Sequence, residues 1–407
     1  MYCNARVKTT AWRPLRWPAI GLCALSASMS VSAQQHYTVR ELRLPVGLAG
    51  TCELAWQGDA PLDEDGNVYG WCPMWTGGIY FVYGLPIPDG RGKTVTWKAD
   101  GTRVLSSYPA SASAWRAYGR DASGRLYADL VATPVRSFNA LKQLGTYTYN
   151  GSTWAKWTPP SPLTGNWQIA QLSRSGMMLL AAQDAAQAGA LAVVKGTAVT
   201  RLPLAPTQLQ GDVLGARRMT PNGHVLVQTH AAGTPATPAA PRWFWWNGVQ
   251  WQERNIGGLA KRGMGGTGDP GVAVLDINAN DEALITTDQT PDIVADTVPY
   301  TYSRWQIAAD TVQTLPTWLG YGPSGSLNDA GDVVGENLPA GTPLSASFGP
   351  RRATIWKGGQ AIDFNTVTTL PSGLVLRQAI AVNNKGQILV STDGSTSGWS
   401  WAVLTPQ

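Results

Sequence analysis

Three histidines, His36, His224 and His230, are all that this chain of 407 residues offers for proton transfer near neutral pH. No His-Glu-x-x-His, Gly-x-Ser-x-Gly or Cys-x-x-Cys accompanies them, so zinc hydrolysis and thiol catalysis find no support and a serine triad very little. The carboxylates Asp63, Glu64 and Asp65 stand before Gly66 in the manner of a calcium loop, but Pro61 occupies the place of the first ligand. They read as solvated turn residues, as do Asp329 and Asp332. No catalytic residue, metal site or cofactor is assigned from the sequence. A Gly-rich stretch, Ala260 to Gly271, lacks the Lys-Ser/Thr ending of a phosphate loop and reads as a connection.

Binding chemistry is better represented. The chain holds 19 tryptophans, whose large apolar faces must be buried or bound to something. Trp97, Trp154, Trp246, Trp305, Trp356 and Trp401 recur with a repeat and read as packing. Trp71, Trp75, Trp115 and Trp167 recur less regularly and are the candidate ligand-binding residues, because sugar rings stack their apolar faces on indole. Two of these lie in the aromatic segment Trp71 to Gly92, the candidate functional surface. A Pro/Ala/Thr-rich insertion is expected from Thr229 to Pro241.

The elements that position these residues follow from a repeated phrase. An apolar run, a turn and a second apolar run recur at intervals of about fifty residues, a period that signals stacked units sharing a core. The turns carry Gly66, Gly124, Gly176, Gly223, Asp281, Gly331 and Gly386, residue types that let antiparallel strands reverse. In most copies a second hairpin follows, as in TVTWKADGTRVL and WFWWNGVQWQE. Two hairpins make a four-stranded antiparallel sheet, and seven such sheets predict an all-β, single seven-bladed β-propeller over residues 34–407. The last copy ends one strand short after WSWAVL, and YTVREL (Tyr37 to Leu42) is expected to complete that blade and close the ring.

Residues 1–33 read separately. Arg6, Lys8, Arg13 and Arg16 precede an apolar run from Ile20 to Val31, followed by small residues through Ala33, which predicts a secretory signal peptide. The run is too short for a membrane span, and Leu22 before Cys23 argues against a lipoprotein. Without this segment most of the formal net charge of +5 disappears, and a nucleic-acid partner loses its support. A monomer in the periplasm or the exterior is expected. Cys52 and Cys72 flank the Gly66 turn and are expected to form a disulfide in that oxidising compartment.

The final copies, RRATIWKGGQAIDFNTV followed by LRQAIAVNNKGQILVST, resemble the HAF-repeat family of bacterial extracellular repeat proteins. YTVRELRLP resembles the opening of its unit, although the His-Ala-Phe triplet is absent. The resemblance implies a secreted, propeller-like protein and transfers no catalytic residue. The expected function is a secreted binding or interaction module for a glycan or a cell-surface protein, more in keeping with the residues than an enzyme. The alternatives are a glycan-cleaving hydrolase or lyase, with its site at one end of the propeller channel, and a structural envelope protein.

Overall fold

The computed structural model describes residues 35–43, 53–54, 61–72, 79–82, 85–88, 93–107, 112–121, 123–132, 143–207, 213–230, 242–261, 272–288, 300–316, 325–338, 351–393 and 400–407. It is a seven-bladed β-propeller of four-stranded antiparallel blades. Blade 1 is built from Glu53–Leu54, Val68–Cys72, Lys93–Trp97 and Arg103–Ser107, and blade 2 from Ala112–Arg120, Leu126–Ala132, Gln143–Tyr149 and Trp154–Lys156. Blade 3 uses Trp167–Leu172, Met178–Ala182, Leu191–Lys195 and Ala198–Arg201; blade 4 uses Val213–Met219, Val225–His230, Arg242–Trp246 and Trp251–Arg254. Blade 5 takes Val272–Ile277, Glu282–Asp288, Tyr300–Gln306 and Thr311–Thr314; blade 6 takes Ser326–Leu327, Val333–Asn337, Arg352–Lys357 and Gln360–Asp363. Blade 7 comprises Val375–Val382, Ile388–Asp393 and Ser400–Pro406, with Tyr37–Leu42 paired to the last of these from Tyr37 opposite Pro406 to Leu42 opposite Trp401.

In every blade the repeated turn joins the first strand to the second. First strands of neighbouring blades pack against one another, so they are the innermost. The core is divided into layers between blades. Tyr37, Phe364 and Leu404 pack between blades 6 and 7, and Leu42, Val68, Trp97 and Leu389 between blades 7 and 1. Corresponding layers fill the joints from blade 2 through blade 6.

The tryptophan phase needs one correction. The third-strand residue opposite the second residue after each turn is Trp97, Tyr149, Val194, Trp246, Trp305, Trp356 and Leu404. Trp154 instead sits on a fourth strand opposite Tyr149, and Trp401 lies earlier on its strand than Leu404. Both still pack: Trp154 against Tyr149, with centroids 5.1 Å apart, and Trp401 against Trp97 at 6.1 Å. The expected insertion also begins later than Thr229. Thr229 and His230 finish the second strand of blade 4, and the Thr229 hydroxyl is 2.9 Å from that of Thr207.

An irregularity recurs on the innermost strands. One residue bulges out of register at Trp115 and Tyr118 in blade 2, Ala170 in blade 3, Leu275 in blade 5 and Ile380 in blade 7. Such bulges increase local twist and turn the following side chain toward a new neighbour. No described helix is long and apolar enough to cross a membrane.

Candidate functional site

Each repeated turn is held by the residue at its start. Asp63, Asp121, Ser173, Thr220, Asn278, Asn328 and Asn383 occupy equivalent slots, and each side-chain oxygen accepts a backbone N–H from the other side of the turn. This is the local bonding for which Asp, Asn, Ser and Thr are favoured in turns. Asp63 and Asp121 are therefore structural caps rather than solvated carboxylates. The turn residue itself has positive φ in all seven copies, and Asp281 adopts φ 57° where the others have Gly. Its carboxylate accepts from His224 Nδ1 of blade 4, at 2.8 Å. His224 thus ties two blades together rather than merely decorating a strand. A Cβ at Gly248 would lie 3.4 Å from its Nε2, and its ring meets Trp245 edge to face.

The same turns are bonded from blade to blade. Asn278 Nδ2 donates to the Asn328 carbonyl at 2.9 Å, Asn328 Nδ2 to the Asn383 carbonyl at 3.4 Å, and Asn383 Nδ2 to the Asp63 carbonyl at 2.9 Å. One residue further on, the Ala279 N–H donates to Asp329, the Asp329 N–H to Asn384 and the Asn384 N–H to Glu64. A third row joins Ser175 to the Pro221 carbonyl, Asn222 to the Ala279 carbonyl and Asn280 to the Asp329 carbonyl. Asp329 is consequently a link between blades, and Asp332 is buried, accepting from Asn328 and facing Lys357 at 3.4 Å. Neither is the solvated turn residue expected from the sequence.

Among the described residues this ladder runs from blade 3 through blades 4, 5, 6 and 7 to blade 1 and lapses around blade 2. The slots explain the lapse. Asp63 and Asp121 have no cap N–H to pass on as Asn278 has, Asp65 has none to match Asn222 and Asn280, and Ser123 bonds within its own turn; Asp63 and Asp121 instead accept the hydroxyls of Tyr69 and Tyr127 at 2.5 and 2.7 Å. In blade 3 the second turn residue is Arg174, which spans the centre of the ring. Its guanidinium bonds Asp276 of blade 5 and the Ser326 hydroxyl and Leu327 carbonyl of blade 6, the last two at 2.7 and 3.1 Å. Asp276 also accepts from Ser326 and from the Leu327 N–H, and the Val382 N–H of blade 7 reaches Ser326.

A pocket of about 350 Å³ opens where the ladder lapses. It is walled by the turns of blades 1, 2 and 3, with Asp63, Asp121 and Arg174 at its sides and Tyr69, Thr96, Lys98 and Arg120 among the residues lining it. Its volume falls at the lower end of ligand clefts. The Arg120 guanidinium lies over the Tyr69 ring, 5.7 Å from its centroid. Burial, with the hydrogen bond to Asp63 next, pushes the Tyr69 hydroxyl's pKa well up, and Tyr127 is raised likewise by burial and Asp121. Both phenols stay neutral donors. Burial works to raise the Asp121 pKa, but hydrogen bonds from Ser123, Tyr127 and the Arg125 N–H, with the Arg125 charge, leave it below the ordinary value.

That shift has a testable sign. A carboxyl depressed on folding contributes stability above its unfolded pKa of about 3.9 and loses it as pH falls through the lower folded value. Asp121→Asn is therefore expected to flatten the acid side of the stability profile below about pH 4, as read by urea unfolding, while lowering stability at pH 7 by about 1 kcal/mol. Equal acid slopes for the two proteins would contradict this role.

Trp167, the one chosen tryptophan whose side chain is described, does not line this pocket. Trp167 is only 4% exposed, its indole N–H donates to the Thr164 carbonyl, and Arg201 covers its ring at 5.4 Å. It belongs to the layer between blades 2 and 3, which leaves no face for a ligand. Trp115 is the bulged residue on the innermost strand of blade 2, and Trp71 lies on the second strand of blade 1, paired with Thr94. Trp75 lies outside the described residues, as does Cys52 of the expected disulfide; Cys72 ends the Val68–Cys72 strand. The aromatic segment leaves blade 1 at the end away from the Gly66 turn, and carries a hairpin of Ile79–Val82 and Leu85–Pro88. No group of three or more metal-ligating side chains occurs among the described residues.

No family model and no curated protein matches the chain. Among solved structures it is similar to a selenomethionine-substituted virginiamycin B lyase from Staphylococcus aureus, at 9% identity over 91% of this chain and 99% of that one, TM-score 0.43. It is also similar to the polysaccharide lyase Uly1, at 9% identity over 92% of this chain and 98% of that one, TM-score 0.43. A third is a puromycin-hydrolyzing peptidase of Mycobacterium tuberculosis, at 12% identity over 86% of this chain and 52% of that one, TM-score 0.43. The chain thus spans about half of the peptidase. No functional residue is transferred from any of them.

Proposed function

We propose that this protein is a secreted binding propeller of the HAF-repeat kind, which seats a glycan, free or borne on a cell-surface partner, in the pocket between the turns of blades 1, 2 and 3. The observation that carries this reading is the position of the pocket, at the lapse of an otherwise continuous ladder of bonds between blades. Polar side chains in the slots that elsewhere join one turn to the next are here bonded within their own turns and wall a cleft.

Binding is favoured over cleavage because the carboxylates are already committed. Asp63 accepts from two backbone N–H groups, the Asn67 amide and the Tyr69 hydroxyl, and Asp121 is engaged as fully by Ser123, Arg125 and Tyr127. Glu64 accepts the Asn384 N–H, and Asp65 faces Lys385 at 3.5 Å. A general acid and base pair needs carboxyls free to exchange a proton with the ligand.

The test is a glycan array probed with the purified protein and with Lys98→Trp, which places a bulky ring at the exposed rim of the pocket. Binding to at least one glycan, reduced at least tenfold in the variant at an unchanged melting temperature, is the expected result. Equal binding by both proteins, or none by either, would contradict the reading. A second contact, to a protein at the cell surface, is favoured by the hairpin inserted into blade 1, since no other blade carries one among the described residues.

A further inference from the structure

Resting on that reading of the pocket, we infer that the group it recognises is an oxyanion, a carboxylate or sulfate carried on the ligand. The donors and acceptors of the lining point to this. Every lining carboxylate already accepts from a donor or faces a cation, as described above. The Asn67 side-chain oxygen accepts the Ala99 N–H, and the Ser175 hydroxyl is shared between Ser173 and the Pro221 carbonyl. Beside these acceptors the lining holds cationic and hydroxyl donors with unused hydrogen-bonding capacity.

Three donors supply it. Thr96 is 5% exposed, yet its hydroxyl has no partner among the described residues. The Lys98 ammonium has no hydrogen bond or ion pair among them. Arg120 donates to the Gly124 carbonyl at 3.0 Å, but faces no carboxylate partner, and its Nε is buried without a partner. A half-buried arginine without a counter-charge is costly unless something completes it. The Tyr69 ring beneath it holds the planar fork in place, and a fixed guanidinium fork matches the two oxygens of a carboxylate or sulfate.

The four lining acids do not cancel this preference. Asp121 is paired with Arg125 at 2.9 Å and Asp65 with Lys385, while Asp63 is enclosed by its own turn. Glu64 accepts the Asn384 N–H. Each of the four has a donor or cation of its own, whereas Arg120 faces no carboxylate partner and Lys98 has only the nearby charge of Asp100. A neutral sugar would leave Arg120 as it is. An acidic or sulfated sugar would complete it.

Isothermal titration of the purified protein with glucuronate, glucose 6-sulfate and glucose separates the cases. Both anions are expected to bind at least tenfold more tightly than glucose, and the better of the two identifies the source of the oxyanion. Arg120→Gln is expected to weaken both at least tenfold, Arg120→Lys to recover part of the loss, and the exposed Lys98→Gln to weaken binding about threefold with a smaller salt dependence. Glucose binding as tightly as either anion, unchanged anion binding by folded Arg120→Gln, or no binding of either anion at about 10 mM would overturn the inference. An array hit among neutral glycans that is lost in Lys98→Trp but kept in Arg120→Gln would remove the oxyanion and leave the binding function standing.

Discussion

Deleting Tyr37–Leu42 is expected to lower the melting temperature by roughly 10 °C or more and to make the protein aggregate on heating. The segment is a full partner of the last strand, and the Gln407 N–H extends the pairing to the His36 carbonyl. Tyr37 packs edge to face on Phe364 at 5.1 Å, and Leu42 is completely buried beside Trp97. Arg40 adds a tie to blade 1 through the Gly66 and Lys98 carbonyls, at 2.9 and 2.8 Å. Removing the strand therefore opens an edge along Trp401 to Pro406 and strips apolar cover from two joints. Shortening the chain within 231–240 is the comparison, and should move the melting temperature by no more than about 2 °C. Similar losses from the two deletions would show that the first strand does not hold the ring closed.

The second large effect is expected at the centre. Asp276→Ala should destabilise the protein by about 3 kcal/mol, because it leaves the Arg174 guanidinium, which is only 14% exposed, without its counter-charge. It also removes an acceptor from the Ser326 hydroxyl and the Leu327 N–H. Arg174→Ala should cost less, about 2 kcal/mol, since Asp276 keeps those two donors. The double variant should fall short of the sum by at least about 1 kcal/mol, the mark of a direct interaction. Additive losses, or single losses below about 0.5 kcal/mol in urea unfolding, would mean that the pair is solvated and does not lock the ring across its axis.

Much of the fold could be read because it is written locally. A turn opened by Asp, Asn, Ser or Thr and closed by Gly constrains only its own hairpin, and six such turns with the Asp281 copy carry the architecture without knowledge of any contact between blades. The tryptophan phase was less legible. Trp154 and Trp401 sit at similar spacings to Trp97, but strand length decides register, and the residues truly in phase are Tyr149 and Leu404. Recurrent bulges such as those at Ala170 and Ile380 leave no mark in residue type.

The candidate site was harder to read because it belongs to relations between blades. Arg174 looks like any exposed turn residue until the ring brings it to Asp276 and Ser326, which lie 102 and 152 residues away. Asp63 looks like one of a solvated cluster with Glu64 and Asp65 until its donors are placed. One signal was available in the sequence: the cap slot changes from Asn in blades 5, 6 and 7 to Asp in blades 1 and 2, and the third turn residue from Asn in blades 4 and 5 to Asp in blade 1, which removes the donors that the ladder uses. Trp167 misled for the opposite reason, since an irregular spacing marked a core residue rather than a surface one.

The proposed ligand seat is formed by the turns of blades 1, 2 and 3. Amide hydrogen exchange, with and without a saturating amount of the tightest glycan or sugar acid found, tests it most directly. Slowed exchange is expected at Asn67 and Tyr69, at Gly124 and Arg125, and at Arg174 to Gly176, with no change at the hairpin of Ile79–Val82 and Leu85–Pro88. Protection confined to that hairpin, with none in the three turns, would place the ligand at the other end of the blade and contradict the account.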